Sequence, residues 1–515
     1  MKQIPIKLWL LIVLSAFLQV IIFPVAGPLP AWRGALAWIA LVPLLIALLD
    51  RRLRIRDAAL LGYVCGFLWY LGTCYWVYST MHVYGGLSVF MGVVVMVLFC
   101  LYLGLYHALF ATIVALLRTY TPKMGIIFAV PFVWITVEFA RARITGFPWN
   151  LLGYSAIESH WSVLLAPVGG VMLVSFLLAC GNAFSTWVLL VFAATASIAK
   201  KVILGLSVVV VGLIAYLGIA TYSWDVNWWK GPWEIAVMLQ PNLNVGAEAH
   251  GFRRDPLQDA MQLSMTDQPR TVTLWPESPA LLATDDPLIR EKWMLLASKT
   301  NAPLIAGSLG MKETFKGRYL YNSAAVIDPD SGYVGHYDKI HLVPFGEYVP
   351  FESIFSFASG LTQEVGHFQP GEQRTVFHTG GHSYGVFICY ESIFGDEVRE
   401  FARNGAQVLI NLSDDGWYGD TSAPFQHLNM ARMRAIENHR WVLRDTNNGI
   451  TGSIDPNGGV HDTIPRHTAG IAVARFAFDD TRTFYTQHGD WFGWLCVVVT
   501  LATCGYAQAC KMKTC

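Results

Sequence analysis

The stretch YGVFICYES (384–392) decides the fold of the polar part of this chain. It opens with a short apolar run, and a helical stretch (391–404) follows at once. Apolar strands that lead directly into helices are typical of sheets whose faces are covered by helices. We therefore predict a layered α/β domain, with an α-β-β-α sandwich as the best fit. Cys389 stands where the strand gives way to the helix.

The same alternation extends to both sides of this stretch. Short apolar runs are separated by helical stretches, and Asp-Gly, Asn-Gly and Ser-Gly pairs mark turns. The predicted strands are 234–240, 271–275, 303–308, 323–328, 384–390, 407–413 and 450–456, and the predicted helices are 254–266, 286–300, 391–404 and 424–439.

The N-terminal part of the chain has a different composition. The 515 residues are 54% hydrophobic and only 14% charged, whereas a soluble domain carries about 25% charged residues. Residues 1–230 contain only five of the 36 acidic residues, namely Asp50, Asp57, Glu138, Glu158 and Asp225. An apolar part is therefore joined to an ordinary globular domain.

The apolar part predicts membrane spans, because a bilayer core needs about 20 apolar residues per helix. We expect a multi-pass α-helical domain at 1–229 with seven spans, a globular domain at 230–485, and an eighth span with a tail at 486–515. The eight predicted spans are 8–26, 31–49, 57–78, 88–117, 125–141, 161–194, 201–222 and 491–509.

Basic residues orient these spans. Lys and Arg precede span 1, follow spans 2, 4 and 6, and occur in the tail, whereas the loops after spans 1 and 3 carry none. By the positive-inside rule, both termini are cytoplasmic and residues 230–485 lie outside. Alternatively, span 1 is a cleaved signal peptide, and its removal leaves the orientation of the other spans unchanged.

One outer loop, residues 140–160, carries Arg141 and Arg143 against this pattern. Two interpretations are open. The side chains reach the headgroup level from an interfacial position, or the loop meets lipid phosphates.

Cys389 is the single cysteine within 230–485. It forms no disulfide within the domain, so it is either a packed thiol or a nucleophile. Glu277 follows a predicted strand and Lys339 lies in another short motif of ionisable residues, and a carboxylate, an ammonium and a thiol suit acyl transfer. A nearby cation or helix N-terminus lowers the pKa of a thiol. Lys339 and the N–H of Tyr390 are then candidates to hold an oxyanion.

Each of these residues has a structural alternative when taken alone. Glu277 fits a carboxylate near a helix N-cap, Lys339 fits a surface lysine at a strand end, and Cys389 fits a core thiol. Only the order of the three residues along the chain makes the combination specific for one kind of enzyme.

The order LWPE (274–277), KIHLVPFGEYVP (339–350) and CYES (389–392) resembles the carbon–nitrogen hydrolase, or nitrilase, superfamily. The flanking segments resemble its membrane-bound branch, the apolipoprotein N-acyltransferases. Those segments are GFPWNLLGY (146–154), YNSAAVIDPDSG (321–332), SDDGWYGDTSAPFQHLNMARMRAIENHR (413–440) and RDTNNGITGSIDPNG (444–458).

The resemblance implies an acyltransferase that needs no cofactor, works in the bacterial cytoplasmic membrane and faces the periplasm. A phospholipid donates a fatty acyl chain to a cysteine, and the thioester is attacked by the α-amine of a diacylglyceryl-cysteine on an apolipoprotein. The implied roles are nucleophile for Cys389, general base for Glu277, oxyanion stabiliser for Lys339, second carboxylate for Glu347, and pocket-shaping residues for Tyr390 and Glu391.

Two segments depart from the family pattern. Residues 240–252 differ from its usual stretch after the first strand, so we assign them no binding role. Asp414 stands where asparagine is common, and we expect this change not to touch the triad of Glu277, Lys339 and Cys389.

Other functions are less well supported. A membrane-anchored amidase with water as acceptor shares the triad, and a transporter or receptor has no use for it. His378 and His382 lie in a glycine-rich turn rather than on a helix, which disfavours a metal site. The zero net charge gives no sign of nucleic acid binding. We expect a monomer.

Overall fold

The computed structural model describes residues 4–120, 123–194, 232–245, 255–277, 282–314, 317–348 and 368–514. The chain divides into two compact units. One comprises Met1–Trp76, Val93–Ser223 and His488–Cys515, and the other comprises Val77–Gly92 and Trp224–Gln487. The boundaries predicted at 229/230 and 485/486 stay predictions.

The first unit is built from apolar helices. Among the described residues, five helices are long and apolar enough to cross a membrane, or six if Ile55–Thr73 and Trp76–Tyr84, bent by 53°, form one span. The predicted span 201–222 lies outside the described residues, so the number eight stays a prediction. The helices are Ile6–Ile21, Ala31–Ala35, Val42–Leu48, Ile55–Thr73, Trp76–Ser79, Val89–Tyr120, Lys123–Ala140, His160–Val163, Ala166–Ala194 and Trp491–Thr514.

A buried asparagine hydrogen-bonds to the backbone at a break in one helical span of this unit. The span Ala31–Leu48 is interrupted near residues 39–41, where backbone groups lose their helical partners. Asn182 accepts a hydrogen bond from the Leu41 N–H and donates one to the Ala37 carbonyl, both at 2.7 Å. A lipid environment offers no water to these groups, so the side chain takes its place.

The loop that carries Arg141 and Arg143 corrects one expectation. Arg141 is only 1% exposed, and it donates to the carbonyls of Phe147 and Trp149 at 2.9 and 2.7 Å. The interfacial interpretation is therefore wrong for Arg141, which ties the following loop together from inside. Arg143 is exposed and pairs with Asp490 at 2.5 Å.

The second unit contains two six-stranded sheets. Their strand orders are β12-β1-β2-β3-β4-β5 and β11-β10-β9-β8-β7-β6. In each sheet three neighbouring strands run parallel, namely β1-β2-β3 and β7-β8-β9, and antiparallel strands complete both edges. The strands are β1 Glu234–Gln240, β2 Val272–Trp275, β3 Leu304–Thr314, β4 Gly317–Asp328, β5 Gly332–Asp338, β6 Val376–Thr379, β7 His382–Ile388, β8 Val408–Ser413, β9 Val442–Thr446, β10 Thr451–Ile454, β11 Val460–Ile464 and β12 Gly470–Phe476.

Helices cover the outer faces of both sheets, which confirms the predicted α-β-β-α sandwich. A core between the sheets extends to Val398 and Ala431 on the helices of the second sheet. A separate core joins the first sheet to its own helices through Leu257, Trp293 and Leu296. The helices of this unit are Pro256–Ser264, Pro287–Thr300, Gly395–Arg403, Ala423–Asn438 and Phe484–His488.

Local sequence explains where the first two of these helices begin. Asp255 and Asp286 each accept hydrogen bonds from two backbone N–H groups of the following turn. In both cases a proline comes next, whose fixed φ suits the first helical position and whose missing N–H costs nothing there.

Replacing Trp293 by alanine should destabilise the sandwich. Trp293 is fully buried between its helix and the first sheet, and truncating a buried tryptophan costs about 3–5 kcal/mol. We expect a clearly lower unfolding temperature for the full chain in detergent. Leu295→Ala is the matched control, because Leu295 lies on the same helix but is 47% exposed. Equal shifts for the two variants would contradict the assigned core.

Candidate active site

The predicted site residues stand just beyond the carboxyl ends of strands. Lys339 follows β5 directly and Cys389 follows β7 directly, while Glu277 lies two residues beyond β2. Glu347 lies on the loop after Lys339. Because β2 and β7 belong to different sheets, the sandwich itself brings together groups that are more than 100 residues apart in sequence.

The Lys339 ammonium lies between two carboxylates. Its Nζ is 2.9 Å from Glu347 Oε1 and 3.3 Å from Glu277 Oε1. The lysine is only 1% exposed, and burial by itself lowers the pKa of an ammonium. Glu277 and Glu347 outweigh this effect and raise the pKa of Lys339 above its ordinary value. The lysine is therefore a permanent buried cation.

Further hydrogen bonds hold the two carboxylates in place. The Asn322 amide donates to Glu277 Oε1 and to Glu347 Oε1, each at 2.7 Å. The backbone N–H of Asp414 donates to Glu277 Oε2 at 2.9 Å, and that of Val343 donates to Glu347 Oε2 at 2.7 Å. Every carboxylate oxygen in the pair thus has a donor.

Glu391 connects the lysine loop to the cysteine strand. Its Oε1 accepts from the Tyr337 hydroxyl at 2.7 Å and from the N–H groups of Ile340 and His341 at 2.8 and 3.1 Å. Its Oε2 accepts from the Ile388 N–H at 2.7 Å. Burial raises the pKa of Glu391, and these donors oppose the rise. The side chain braces the residues next to Lys339 against the residue before Cys389.

Tyr390, the other residue predicted to shape the pocket, is buried next to Cys389 in the chain. Its ring meets Phe394 edge to face at 5.4 Å and lies 6.1 Å from the His341 ring. Burial raises the pKa of its hydroxyl. Tyr390 therefore packs among aromatic rings with its hydroxyl protonated, and its role in shaping a pocket stays a prediction.

Cys389 adopts an uncommon backbone conformation, with a φ of 50°. It begins a 3-10 turn, Cys389–Ile393, and the next helix starts only at Gly395. Burial raises the pKa of the thiol well above its ordinary value, Glu277 adds to this, and Lys339 and Ser413 oppose it. A helical turn does begin at the thiol, but the expectation of a lowered thiol pKa is wrong. The resting thiol keeps its proton and needs a base.

Asp414 contacts the triad through its backbone, whereas its side chain, the part that differs from asparagine, bonds to Gly416 and Asn447. Its backbone N–H holds Glu277, while its carboxylate accepts from Gly416 N–H at 2.8 Å and from the Asn447 amide at 3.0 Å. Burial raises the pKa of Asp414 to about 7, and the charge of Glu277 contributes. Asparagine would supply the same backbone contact without the extra charge.

Sequence reasoning missed several polar residues around the site. Asn322, Ser413, Asp415, His427 and Arg444 all lie in segments that carry the family resemblance, but no role was assigned to them. The pattern that could have pointed to them is a polar side chain at or near the end of an otherwise apolar strand, or on a helix that is buried on all sides. Within the described part of the chain, no group of three or more His, Cys, Asp or Glu side chains is arranged to hold a metal ion.

Comparison with known proteins places this site in a family. The carbon–nitrogen hydrolase family matches residues 262–485, and the N-terminal domain of apolipoprotein N-acyltransferases matches residues 15–184. The apolipoprotein N-acyltransferase of Geobacter metallireducens is 32% identical over 502 residues, which cover 96% of this chain and 94% of that protein. This chain belongs to the apolipoprotein N-acyltransferase family.

Other members of the apolipoprotein N-acyltransferase family show the same extent of similarity. The Pseudomonas aeruginosa protein is 31% identical, with 90% of this chain and 93% of that protein covered. Among solved structures, Saccharomyces cerevisiae Nit3, a member of branch 10 of the nitrilase superfamily, is 20% identical with a TM-score of 0.37, and the match covers 47% of this chain and 90% of that chain.

The raised thiol pKa predicts how Cys389 reacts with an alkylating reagent. The thiolate is the reactive form, so in the folded protein the rate of alkylation by iodoacetamide should keep rising from about pH 7 to about pH 10. The same cysteine in denatured protein should level off near its ordinary pKa of about 8.5. Peptide mapping separates Cys389 from the other eight cysteines. A plateau at lower pH in the folded protein than in the denatured protein would contradict the raised pKa.

Proposed function

We propose that this chain transfers a fatty acyl chain from a membrane phospholipid to the α-amino group of an N-terminal diacylglyceryl-cysteine on an apolipoprotein. The observation that carries the proposal is the buried Lys339 held between two carboxylates beside the Cys389 thiol. The apolar helices of the same chain and its membership of the acyltransferase family support lipid substrates.

In the first half-reaction Glu277 takes the proton of the Cys389 thiol. The sulfur attacks the carbonyl carbon of a phospholipid ester, and Lys339 stabilises the negative charge that develops on the carbonyl oxygen. The ester C–O bond then breaks. Glu277 returns the proton to the departing glycerol oxygen, so the products are a lysophospholipid and an acyl thioester on Cys389.

In the second half-reaction the free α-amine of the acceptor attacks the thioester. Glu277 takes a proton from the amine nitrogen as the C–N bond forms, and Lys339 again stabilises the oxyanion. The C–S bond breaks and the proton passes to the sulfur. The products are an N-acylated lipoprotein and the resting thiol, so no cofactor is consumed.

Glu347, Tyr390 and Glu391 support this chemistry without changing covalently. Glu347 keeps Lys339 charged and in place at 2.9 Å. Glu391 fixes the separation of the lysine loop and the cysteine strand through four hydrogen bonds. Tyr390 lines the pocket as a neutral aromatic ring.

Water is the competing acceptor, and the amidase alternative rests on it. Cys389 is 6% exposed and Lys339 is 1% exposed, and a site that excludes water protects a thioester from hydrolysis. Apolar helices also have no purpose in an amidase with a water-soluble substrate. Both observations favour transfer.

The proposal includes a location. The family resemblance implies the bacterial cytoplasmic membrane, and the basic residues of the sequence favour both termini in the cytoplasm and residues 230–485 on the periplasmic side. In this position the site serves two substrates that are held in the outer leaflet of that membrane. We propose that a single copy of the chain is active.

The products distinguish transfer from hydrolysis. Purified protein should convert a phospholipid and a diacylglyceryl-cysteine peptide into a lysophospholipid and a triacylated peptide in equal amounts, which lipid and peptide mass spectrometry measures. An identical peptide with a blocked α-amine is the control and should remain unchanged. Release of free fatty acid at the same rate with and without the acceptor would favour the amidase alternative instead.

Removing the base or the cation should slow thioester formation. We expect Glu277→Gln and Lys339→Met each to lower the rate by at least about 10²–10³-fold, the usual cost of losing one transition-state partner. Single-turnover acylation of Cys389 measures the rate. Glu397→Gln is the matched control, because Glu397 also pairs with a cation, Arg374 at 2.9 Å, but does not contact Lys339 or Glu277. Near-normal rates in either triad variant would refute its role.

A further inference from the structure

The backbone of Cys389 requires support that the triad does not provide. Its φ of 50° lies in the left-handed region, which a residue with a side chain seldom adopts unless its surroundings hold it there. Among the residues that the structure describes, the side-chain hydrogen bonds and ion pairs of Glu277, Lys339 and Glu347 join these residues to one another and to Asn322, Val343 and Asp414, not to the Cys389 backbone. Other groups must hold the backbone of the nucleophile.

His427 makes the contact that meets this need. It lies on the helix Ala423–Asn438, it is fully buried, and its Nε2 is 3.0 Å from the carbonyl oxygen of Cys389. A carbonyl oxygen only accepts hydrogen bonds, so Nε2 carries the proton and donates it. The peptide unit that follows the nucleophile is thereby fixed to a rigid helix.

A buried ion pair holds the other side of the imidazole ring. His427 Nδ1 lies 3.0 Å from Asp415 Oδ1 and 3.1 Å from Arg444 Nη2. Arg444 Nη2 also contacts both oxygens of Asp415, at 2.9 and 2.8 Å, and all three side chains are fully buried. Burial and the charge of Arg444 lower the pKa of His427. Asp415 and the Cys389 carbonyl oppose this decrease, and Nδ1 lies between the Asp415 carboxylate and the Arg444 guanidinium.

The same network returns to the thiol. The Ser413 hydroxyl donates to Asp415 Oδ1 at 3.1 Å, and Ser413 also acts on the Cys389 thiol, whose pKa it lowers. Cys389 is thus held at its carbonyl through His427, which contacts Asp415 in turn.

We propose that His427 is a positioning residue that keeps Cys389 in its left-handed conformation, and that Asp415 and Arg444 orient the His427 ring for this purpose. This inference rests on the proposed role of Cys389 as the nucleophile. Loss of the Nε2 donor lets the peptide unit after Cys389 rotate, and the sulfur then moves away from Glu277 and Lys339. An error of about 1 Å in such a position is enough to cost about 10²-fold in rate.

Three variants of the full chain separate positioning from packing. His427→Phe keeps a buried ring and loses the donor, whereas the amide of His427→Gln reaches the position of Nε2 and keeps a donor. His461→Phe is the control, because it removes another histidine–aspartate pair, 2.8 Å from Asp455, on strand β11. Each variant is tested for the rate of Cys389 acylation by phospholipid, the phospholipid concentration at half-maximal rate, and the unfolding temperature.

We expect His427→Phe to lower the maximal acylation rate by about 10²-fold with the half-saturating concentration unchanged. His427→Gln should recover the rate to within about tenfold of the unsubstituted protein, and His461→Phe should retain it. Equal rates for His427→Phe and the unsubstituted protein would overturn the proposal. So would a loss that is equal in His427→Phe and His427→Gln and follows the unfolding temperature, because that result describes packing alone.

Two further comparisons complete the test. If His427→Phe does not fold, His427→Gln is compared with His427→Asn, whose amide ends at the position of Nδ1. The proposal then requires the glutamine variant to be faster by about tenfold or more, and equal rates overturn it. If the unsubstituted protein itself forms no adduct on Cys389, the proposed function fails, which is a different result from normal acylation in His427→Phe.

Discussion

The site depends on one electrostatic constraint, the burial of the Lys339 charge. An isolated ammonium in a protein interior costs several kcal/mol, and it is tolerated only with opposite charges and hydrogen bonds around it. Glu277 and Glu347 supply the charges, and Asn322 ties them together through bonds to one oxygen of each. Lys339 and its two carboxylates together carry a net negative charge. Because of this, Glu277 can accept a proton while Glu347 still keeps Lys339 charged. Proton transfer from the thiol then moves charge within the cluster without changing its total.

The architecture follows from where these groups must meet. Glu277 and Lys339 come from strands of the first sheet, and Cys389 comes from the second, so the face-to-face packing of the two sheets sets their separation. Glu391 fixes that separation by joining Ile340 and His341 to Ile388. The buried network of Asp415, His427 and Arg444 lies behind the cysteine. Burial raises the pKa of the thiol, and Glu277 and Lys339, the groups that we propose activate it, already interact with it.

Sequence patterns predicted the strands that are apolar throughout, such as β1, β7 and β8, and the helices between them. They missed β9, because Arg444 and Asp445 are charged residues in a strand that is fully buried, and a hydropathy pattern treats charge as exposure. They also missed β5, β6, β11 and β12, which are short or half-exposed. The triad residues were recognised by their order along the chain. The other polar residues of the site (Asn322, Ser413, Asp415, His427 and Arg444) were not, because a motif does not reveal which of its polar side chains face inward. For the same reason Arg141, which is buried against backbone carbonyls, was expected at the membrane surface.

The central claim is that Cys389 carries the acyl group between the two substrates. The most direct measurement is the intact mass of the full-length protein after incubation with phospholipid alone, beside Cys389→Ala. The account predicts that the unsubstituted protein gains the mass of one fatty acyl chain, that hydroxylamine removes it, and that the variant gains nothing. An adduct of the same mass on folded Cys389→Ala, or no adduct on the folded unsubstituted protein, would contradict it.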